Sequence, residues 1–187
     1  MRPFHVGNIL VSSFIERDGP WRAPTTMFPT ADRETALSHL KNMAPEVYDA
    51  AQELLVITYQ TFVVRTPRHI ILIDTCVGDH KPLRGPALDY PKQPWLDGFA
   101  AHGLRFDDID YVFCTHLHVD HCGWNTRLIN GKWVPTFPNA TYIFGKVEYE
   151  AWETAANEAE RDERLSAVWE DSCCLLYTSD AADESSS

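Results

Sequence analysis

The sequence is poor in basic residues and has no long apolar run. It carries 16 lysines and arginines against 27 aspartates and glutamates, for a formal net charge of −11. Nucleic acids and anionic membranes both attract a basic protein surface, so this balance argues against either as the main partner. No apolar stretch approaches the roughly 18 residues needed to cross a membrane. Pro3, His5 and Gly7 interrupt the first apolar patch too early for a signal peptide, and we expect a cytoplasmic protein.

The spacing of the cysteines does not resemble a disulfide framework. The five cysteines are an odd number, so reduced thiols are the expected state. The sequence shows no internal repeat. A chain of 187 residues suits one domain, or a piece of a larger one, and is long enough to bury a core.

The end of the chain has an unusual composition. Residues 174–184 read Cys-Leu-Leu-Tyr-Thr-Ser-Asp-Ala-Ala-Asp-Glu, and three serines follow. This order matches one translated frame of a transposon-based sequencing adapter; the alternative is a natural disordered tail. We expect residues 1–173 to be a partial domain and residues 174–187 to be a non-native tail, which we exclude from the prediction of the fold.

The remaining residues show strand and helix patterns in alternation. Residues rich in β-branched and aromatic side chains predict strands over 4–14, 54–64, 69–75, 110–115 and 141–144. The strands at 54–64 and 69–75 flank a Thr-Pro-Arg turn and predict a central hairpin. Helices are predicted over 32–43, 95–102 and 145–170, with Asp32 as an N-cap. Residues 80–94 contain four prolines and predict a long loop.

A histidine cluster directly follows the strand at 110–115. His116, His118, Asp120 and His121 lie within six residues. Residues i and i+2 of an extended chain point to the same side, so His116 and His118 are expected to bind one metal together. Asp120 and His121 follow where the chain turns, and they are expected to face a second metal. Three imidazoles and a carboxylate suit zinc, and iron or manganese are also compatible.

A structural zinc site is the alternative interpretation of this cluster. Such sites prefer four closed ligands that usually include cysteine and come from separated pairs. Asp120 beside His121 fits an open, catalytic site better.

The pattern His-x-His-x-Asp-His after an apolar strand resembles the hallmark of the metallo-β-lactamase superfamily. Ile73-Asp74-Thr75 resembles the earlier strand-end motif of that family, and residues 115–125 look most like the branch of acyl-homoserine lactonases and methyl parathion hydrolase. The resemblance covers residues 54–152. It implies an α+β fold, the N-terminal part of a four-layer αββα sandwich.

The resemblance also implies roles for individual residues. His116 and His118 would bind the first metal, and Asp120 and His121 the second, with two zinc ions in the full-length form. Asp74 would orient a ligand histidine, although a strand-end capping aspartate is the alternative. Asp120 would help to orient the attacking water or move its proton. The implied activity is hydrolysis of a small-molecule, ester-like substrate such as a lactone.

The sequence departs from the family pattern after the cluster. The family uses further histidines and a bridging aspartate from later loops, whereas no histidine follows His121. We therefore expect this chain to be truncated and inactive by itself. Thioester hydrolysis, phosphoester hydrolysis, a di-iron redox protein and an inactive remnant remain alternatives to the lactone hypothesis.

A few other side chains have two interpretations each. They either contribute to the site or pack in the core: Cys76, Cys122, Trp124, Trp133 and Phe137. His80 and Lys81 are either substrate contacts or surface residues, and we favour the surface. Cys114 is expected in the core.

Overall fold

The computed structural model describes residues 1–43, 45–81 and 86–157, together with Trp169 and Ser172. These residues form strands and helices in the following order along the chain. The strands are β1 (Phe4–Val6), β2 (Ile9–Arg17), β3 (Pro20–Arg22), β4 (Tyr48–Asp49), β5 (Leu54–Val56), β6 (Tyr59–Arg65), β7 (Ile70–Ile73), β8 (Tyr111–Phe113), β9 (Thr126–Ile129), β10 (Lys132–Pro135) and β11 (Thr141–Ile143). The helices are α1 (Pro24–Met27), α2 (Arg33–Leu40), α3 (Gln93–Ala101) and α4 (Lys146–Asn157).

The main sheet has six strands in the order β1-β2-β6-β7-β8-β11. Its first four strands are antiparallel, whereas β7, β8 and β11 run parallel. The predicted hairpin is confirmed, because β6 pairs with β7 from Phe62↔Ile73 to Arg65↔Ile70. The parallel strands β7 and β8 end at the same edge of the sheet, so the segments that follow Ile73 and Phe113 lie side by side.

Two smaller sheets lie outside the main sheet. One has the strand order β3-β5-β4. It follows β2 along the chain, and the helices α1 and α2 lie between its strands β3 and β4 in sequence. The predicted cap of α2 is confirmed, since Asp32 Oδ2 accepts a hydrogen bond from the Thr35 amide at 2.8 Å. The other is the hairpin β9–β10, which turns at Asn130 and Gly131, both with positive φ.

The core is largely aromatic. Trp95 and Phe137 are fully buried, and the Trp95 ring stacks on Trp124 with 4.4 Å between centroids. Phe14 of β2 packs on Trp95. The absence of a side chain at Gly98 of α3 lets the Phe14 side chain approach the helix closely. Trp124 and Phe137 are therefore core residues, and their interpretation as core packing is confirmed.

Two predicted strands are each divided in the structure. The strand predicted over 4–14 turns at Gly7, whose φ is 62°, and becomes the antiparallel pair β1–β2. The strand predicted over 54–64 breaks at Ile57 and Thr58, so that β5 and β6 belong to different sheets. The Ile57 amide donates to Gly19 O, and Thr58 Oγ1 donates to Asp18 Oδ1 at 2.6 Å. These tertiary contacts interrupt an otherwise uniform β pattern.

The predicted helices agree with α2, α3 and the start of α4 to within a few residues. The part of the last helix predicted beyond Asn157 lies outside the described residues, apart from Trp169, and the tail at 174–187 lies outside them altogether. The predicted loop over 80–94 contains a short 3-10 turn, Pro86–Leu88, and it ends earlier than predicted, because α3 begins at Gln93. The α+β class is confirmed.

Three cysteine side chains are buried: Cys76, Cys114 and Cys122. Among the described residues, no helix is long and apolar enough to cross a membrane.

Candidate metal centre

Two loops at the carboxyl edge of the main sheet form the base of the site. The Asp74 loop (residues 74–78) follows β7, and the histidine loop (residues 114–125) follows β8. Backbone hydrogen bonds join them: the Thr75 amide donates to His121 O at 2.7 Å, the Gly123 amide to Cys76 O at 2.8 Å, and the Trp124 amide to Thr75 O at 2.9 Å. The two loops are therefore one hydrogen-bonded unit.

Glycine permits the closest approach between these loops. A Cβ on Gly123 would lie 1.9 Å from the carbonyl carbon of Val77, and one on Gly78 would lie 2.4 Å from Gly123 O. Any side chain at Gly123 would collide with backbone that has no room to move.

The Asp74 loop also carries backbone strain. Asp74 has a φ of 56° and Cys76 a φ of 50°, both in the left-handed region that non-glycine residues rarely adopt. Such strain is kept only where surrounding contacts fix the conformation, and it concentrates at functional sites.

The histidine loop brings its three imidazoles into contact. The rings of His116 and His118 lie 4.7 Å apart at an interplanar angle of 88°, while Leu117 between them is fully buried. A turn in which the His121 amide donates to His118 O brings the third ring to 3.8 Å from His116. The structure thus brings together the three histidines that the sequence singled out.

Asp74 joins the two loops through its carboxylate. It accepts from the Thr115 amide at 2.8 Å, from Thr115 Oγ1 at 2.8 Å, and from His121 Nδ1 at 2.8 Å. Because a carboxylate only accepts, Nδ1 of His121 carries the hydrogen. The other ring nitrogen, Nε2, lies 3.5 Å from Asp120 Oδ2. In the neutral ring this arrangement leaves the Nε2 lone pair available to a metal.

The charges of the site follow from this geometry. Burial lowers the pKa of His121, but the hydrogen bonds to Asp120 and Asp74 outweigh it and raise the pKa to about 10. Burial and the neighbouring His121 and His118 lower the pKa of His116. Burial raises the pKa of Asp120, but the interaction with His121 outweighs it and leaves a net lowering. Anionic Asp120 is the form that ligates a cation.

The donor set fits a divalent metal, because the side chains are of the right chemical type and lie next to one another. Three imidazoles and a carboxylate lie on one loop, and the hydrogen bond from His121 Nδ1 to Asp74 turns the Nε2 side of that ring toward Asp120. Within the described residues, no three or more His, Cys, Asp or Glu side chains form a group that could hold a metal ion as placed. The candidate ligands are thus neighbours without forming a closed coordination shell.

A cleft of about 310 Å³ opens beside His116 and His118. Its opposite wall is one face of α4, with Glu148, Ala151, Trp152 and Ala155. Glu148 Oε1 accepts from the Leu117 amide at 3.0 Å and from Trp152 Nε1 at 2.9 Å.

Sequence reasoning missed these contacts of α4. Glu148 and Trp152 stand four residues apart on the predicted helix, and that spacing places them on one face. It did not show that this face meets the histidine loop.

The remaining candidates divide clearly between core and surface. Cys76 and Cys122 are fully buried, and the Cys122 thiol lies 3.3 Å from His118 O. The interpretation of both as packing residues is supported. His80 is exposed as predicted.

The surface prediction is wrong for Lys81. Its Nζ is buried, donates to Thr126 Oγ1 at 2.9 Å and Ser172 Oγ at 3.0 Å, and lies 3.9 Å from the centroid of the Trp133 ring. These contacts offset the free-energy cost of removing water from the Lys81 ammonium group.

The fold and the loop geometry agree with the comparison against protein families. The model of the metallo-beta-lactamase superfamily matches residues 57–172, more than half of the chain. The chain belongs to the metallo-beta-lactamase superfamily. The match contains both the Asp74 loop and the histidine loop, so the resemblance inferred from the motif is confirmed. The comparison with curated proteins gave no match.

Three solved structures share the fold of this chain. A probable metal-dependent hydrolase from Staphylococcus aureus is 19% identical with a TM-score of 0.64, over 90% of this chain and 56% of its own. The hydrolase AbOPH of the beta lactamase superfamily is 20% identical with a TM-score of 0.65, over 90% and 55%. AidC, a dizinc quorum-quenching lactonase, is 18% identical with a TM-score of 0.63, over 91% and 59%. The chain thus spans just over half the length of these three structures.

Proposed function

We propose that this chain supplies metal ligands to a metal-dependent hydrolase of small ester-like substrates, such as lactones. The observation that carries the proposal is the line of contacts from Asp74 through His121 to Asp120, beside the paired rings of His116 and His118. A carboxylate behind a ligand imidazole is the usual way in which proteins orient a metal-binding ring.

Each residue of the site has a role in this proposal. His116 and His118 would hold one ion, and Asp120 and His121 a second, with zinc expected and iron or manganese compatible with the donors. When bound, two such ions supply Lewis acidity and make nearby water more acidic. Asp120 orients the attacking water and accepts its proton, while Asp74 holds the His121 ring.

The cleft beside the histidines suggests the class of substrate. Its far wall is apolar apart from Glu148, because Ala151, Trp152 and Ala155 line it. An apolar wall beside polar donors suits an ester with a hydrocarbon substituent. The shared fold with AidC, a dizinc lactonase, supports a lactone as the first substrate class to test.

Metal binding by the full 187-residue chain tests the first part of the proposal. Zinc affinity is measured by competition with a chromophoric chelator for the wild type, for His116→Ala with His118→Ala, and for the matched control His39→Ala, whose ring is exposed on α2. Loss of a partner that only orients a ligand costs about 10- to 100-fold in affinity. The paired ligand variant is expected to lose more, and the control nothing. A wild type that binds no zinc, or a ligand variant that binds as the wild type does, contradicts the proposal.

Turnover tests the second part. Because this chain is expected to be inactive by itself, the full-length, zinc-loaded protein is assayed against a lactone, an aryl ester, a thioester and a phosphotriester, each with Asp120→Asn as the comparison. We expect the lactone or ester to be hydrolysed fastest and Asp120→Asn to lower kcat about 100-fold or more. Preference for the thioester or phosphotriester would change the proposed substrate class but keep the hydrolase activity. Zinc binding by the full-length protein without turnover of any of the four would overturn the catalytic proposal.

A further inference from the structure

One buried carboxylate contacts both loops of the site from behind. Glu16 of β2 is 2% exposed, although it is charged and far from the histidine loop in sequence. Buried glutamates are rare unless hydrogen bonds compensate for the loss of water. The surroundings of Glu16 therefore require an explanation.

A β-bulge directs this side chain inward. Ile15 pairs with Gln60 and Arg17 pairs with Tyr59, so Glu16 is the extra residue on β2. Bulges interrupt the ladder, and they are over-represented beside functional sites, where they redirect a side chain. Here the redirected side chain is the buried carboxylate.

Both metal-site loops donate hydrogen bonds to Glu16. Oε1 accepts from the Val77 amide at 3.1 Å, and Oε2 accepts from the Gly78 amide at 3.4 Å, both in the Asp74 loop. Oε2 also accepts from Trp124 Nε1 at 2.6 Å, in the histidine loop. A fourth donor, Tyr90 OH at 2.6 Å, belongs to neither loop. Four donors around one carboxylate match its acceptor-only, ionised form.

The contacts of Glu16 lie at one end of the paired loops, and the metal ligands lie at the other. Val77 and Gly78 follow Asp74 by three and four residues, and Trp124 follows His121 by three. Between these ends the Thr75, Gly123 and Trp124 amides join the loops. A shift at the Glu16 end is therefore transmitted along two short, hydrogen-bonded segments to Asp74 and His121.

We propose that Glu16 is a positioning residue of the metal centre, which fixes the Asp74 loop against the histidine loop so that Asp74 meets His121. The proposal rests on the proposed metal-binding function, and it adds a residue outside both loops. Burial raises the pKa of the Glu16 carboxyl, while the hydrogen bond from Tyr90 and the charge of Lys92 oppose that shift. The main contacts of Glu16 do not depend on any metal.

The variant Glu16→Gln tests this role with little change in shape. In the glutamine variant, an NH2 group replaces one of the two carboxylate oxygens. Each of the two positions faces a backbone or indole N–H, so the hydrogens of the NH2 group would point at a second donor that cannot turn away. We expect hydrogen exchange at the Val77, Gly78 and Gly123 amides to become about 10-fold faster, with Val63 and Leu72 of the main sheet unchanged. Zinc affinity should fall about 10-fold, as it does when a ligand loses its orienting partner.

Two further variants keep the test decisive. Tyr90→Phe removes the Tyr90 donor, which belongs to neither loop, so loop exchange and zinc affinity should stay as in the wild type. Trp124→Phe keeps an aromatic ring on Trp95 but removes the indole N–H, and exchange at Gly123 should rise several-fold. This milder variant decides the matter if Glu16→Gln does not fold.

The outcomes separate this inference from the proposed function. If Glu16→Gln leaves loop exchange unchanged, or speeds loop and sheet amides equally, the positioning role is wrong. If the loops loosen while zinc affinity equals that of a zinc-binding wild type, the role is also wrong. If the wild type binds no zinc, the proposed function fails, and exchange at the loop amides alone then decides whether Glu16 fixes the two loops.

Discussion

At the scale of single residues, Asp74 makes several polar contacts with the histidine loop. Its carboxylate accepts from a backbone amide, a hydroxyl and an imidazole, all within 2.8 Å, and its backbone is strained. A capping aspartate would explain the Thr115 amide contact, which was the alternative interpretation of this residue. It would not explain the bond to His121 Nδ1, which orients the ring.

Replacing Asp74→Asn tests this orienting role. The amide keeps the size of the side chain but lacks the charge, and it offers one acceptor atom to donors that now use two. We expect zinc affinity to fall about 10- to 100-fold, as measured by chelator competition. Asp79→Asn is the matched control, because Asp79 lies five residues later and pairs with exposed His80. Equal zinc affinity in the two variants would show that Asp74 only caps the strand end.

At the scale of elements, the contact between the two loops depends on having no side chain at Gly123. In Gly123→Ala the new methyl would meet the Val77 carbonyl at 1.9 Å, and neither backbone segment can move without breaking the amide bonds between the loops. We expect a loss of about 3 kcal/mol or more in the free energy of unfolding, as for other severe overpacking. Urea denaturation measures it. Gly145→Ala, where the methyl would find its nearest atom at 3.8 Å, should change stability little.

Helix α4 is joined to the histidine loop through one carboxylate oxygen of Glu148, and this contact can be tested in the same way. Glu148 Oε1 accepts from the Leu117 amide and from Trp152 Nε1. Glu148→Ala removes both acceptors, so we expect faster hydrogen exchange at Leu117 and a loss of about 1 kcal/mol in stability. Glu148→Gln is the isosteric control, since its amide oxygen can keep both bonds. If the two variants exchange alike at Leu117, α4 is not joined to the loop in this way.

The elements also show how far the sequence could predict the structure. The apolar runs at β6, β7 and β8 and the density of ligands after β8 are local signals, and they predicted the hairpin and the loop that carries the site. The break between β5 and β6 was missed because it depends on Gly19 and Asp18, some 40 residues away. The hairpin β9–β10 was missed although its Asn130-Gly131 turn is a strong local signal. Glu16 was invisible, since nothing in an isolated β pattern marks a buried carboxylate.

At the scale of the whole molecule, the main sheet presents apolar side chains to solvent. Phe113 of β8 and Ile143 of β11 are each 41% exposed and lie opposite one another in register. Ile73 of β7 pairs with Phe113 on its other side and is partly exposed. The three side chains form an apolar row across neighbouring parallel strands. Contiguous apolar surface of this kind marks an interaction surface or a liability to aggregate.

We therefore expect the 187-residue chain to self-associate through this row. Sedimentation velocity over a hundredfold range of concentration should show a weight-average mass that rises with concentration. Phe113→Ser combined with Ile143→Thr replaces two large apolar side chains by polar ones, and it should reduce the association. Val147→Ser is the control, because Val147 is 81% exposed but stands alone at the start of α4. A wild type that stays monomeric over the whole range would contradict this prediction.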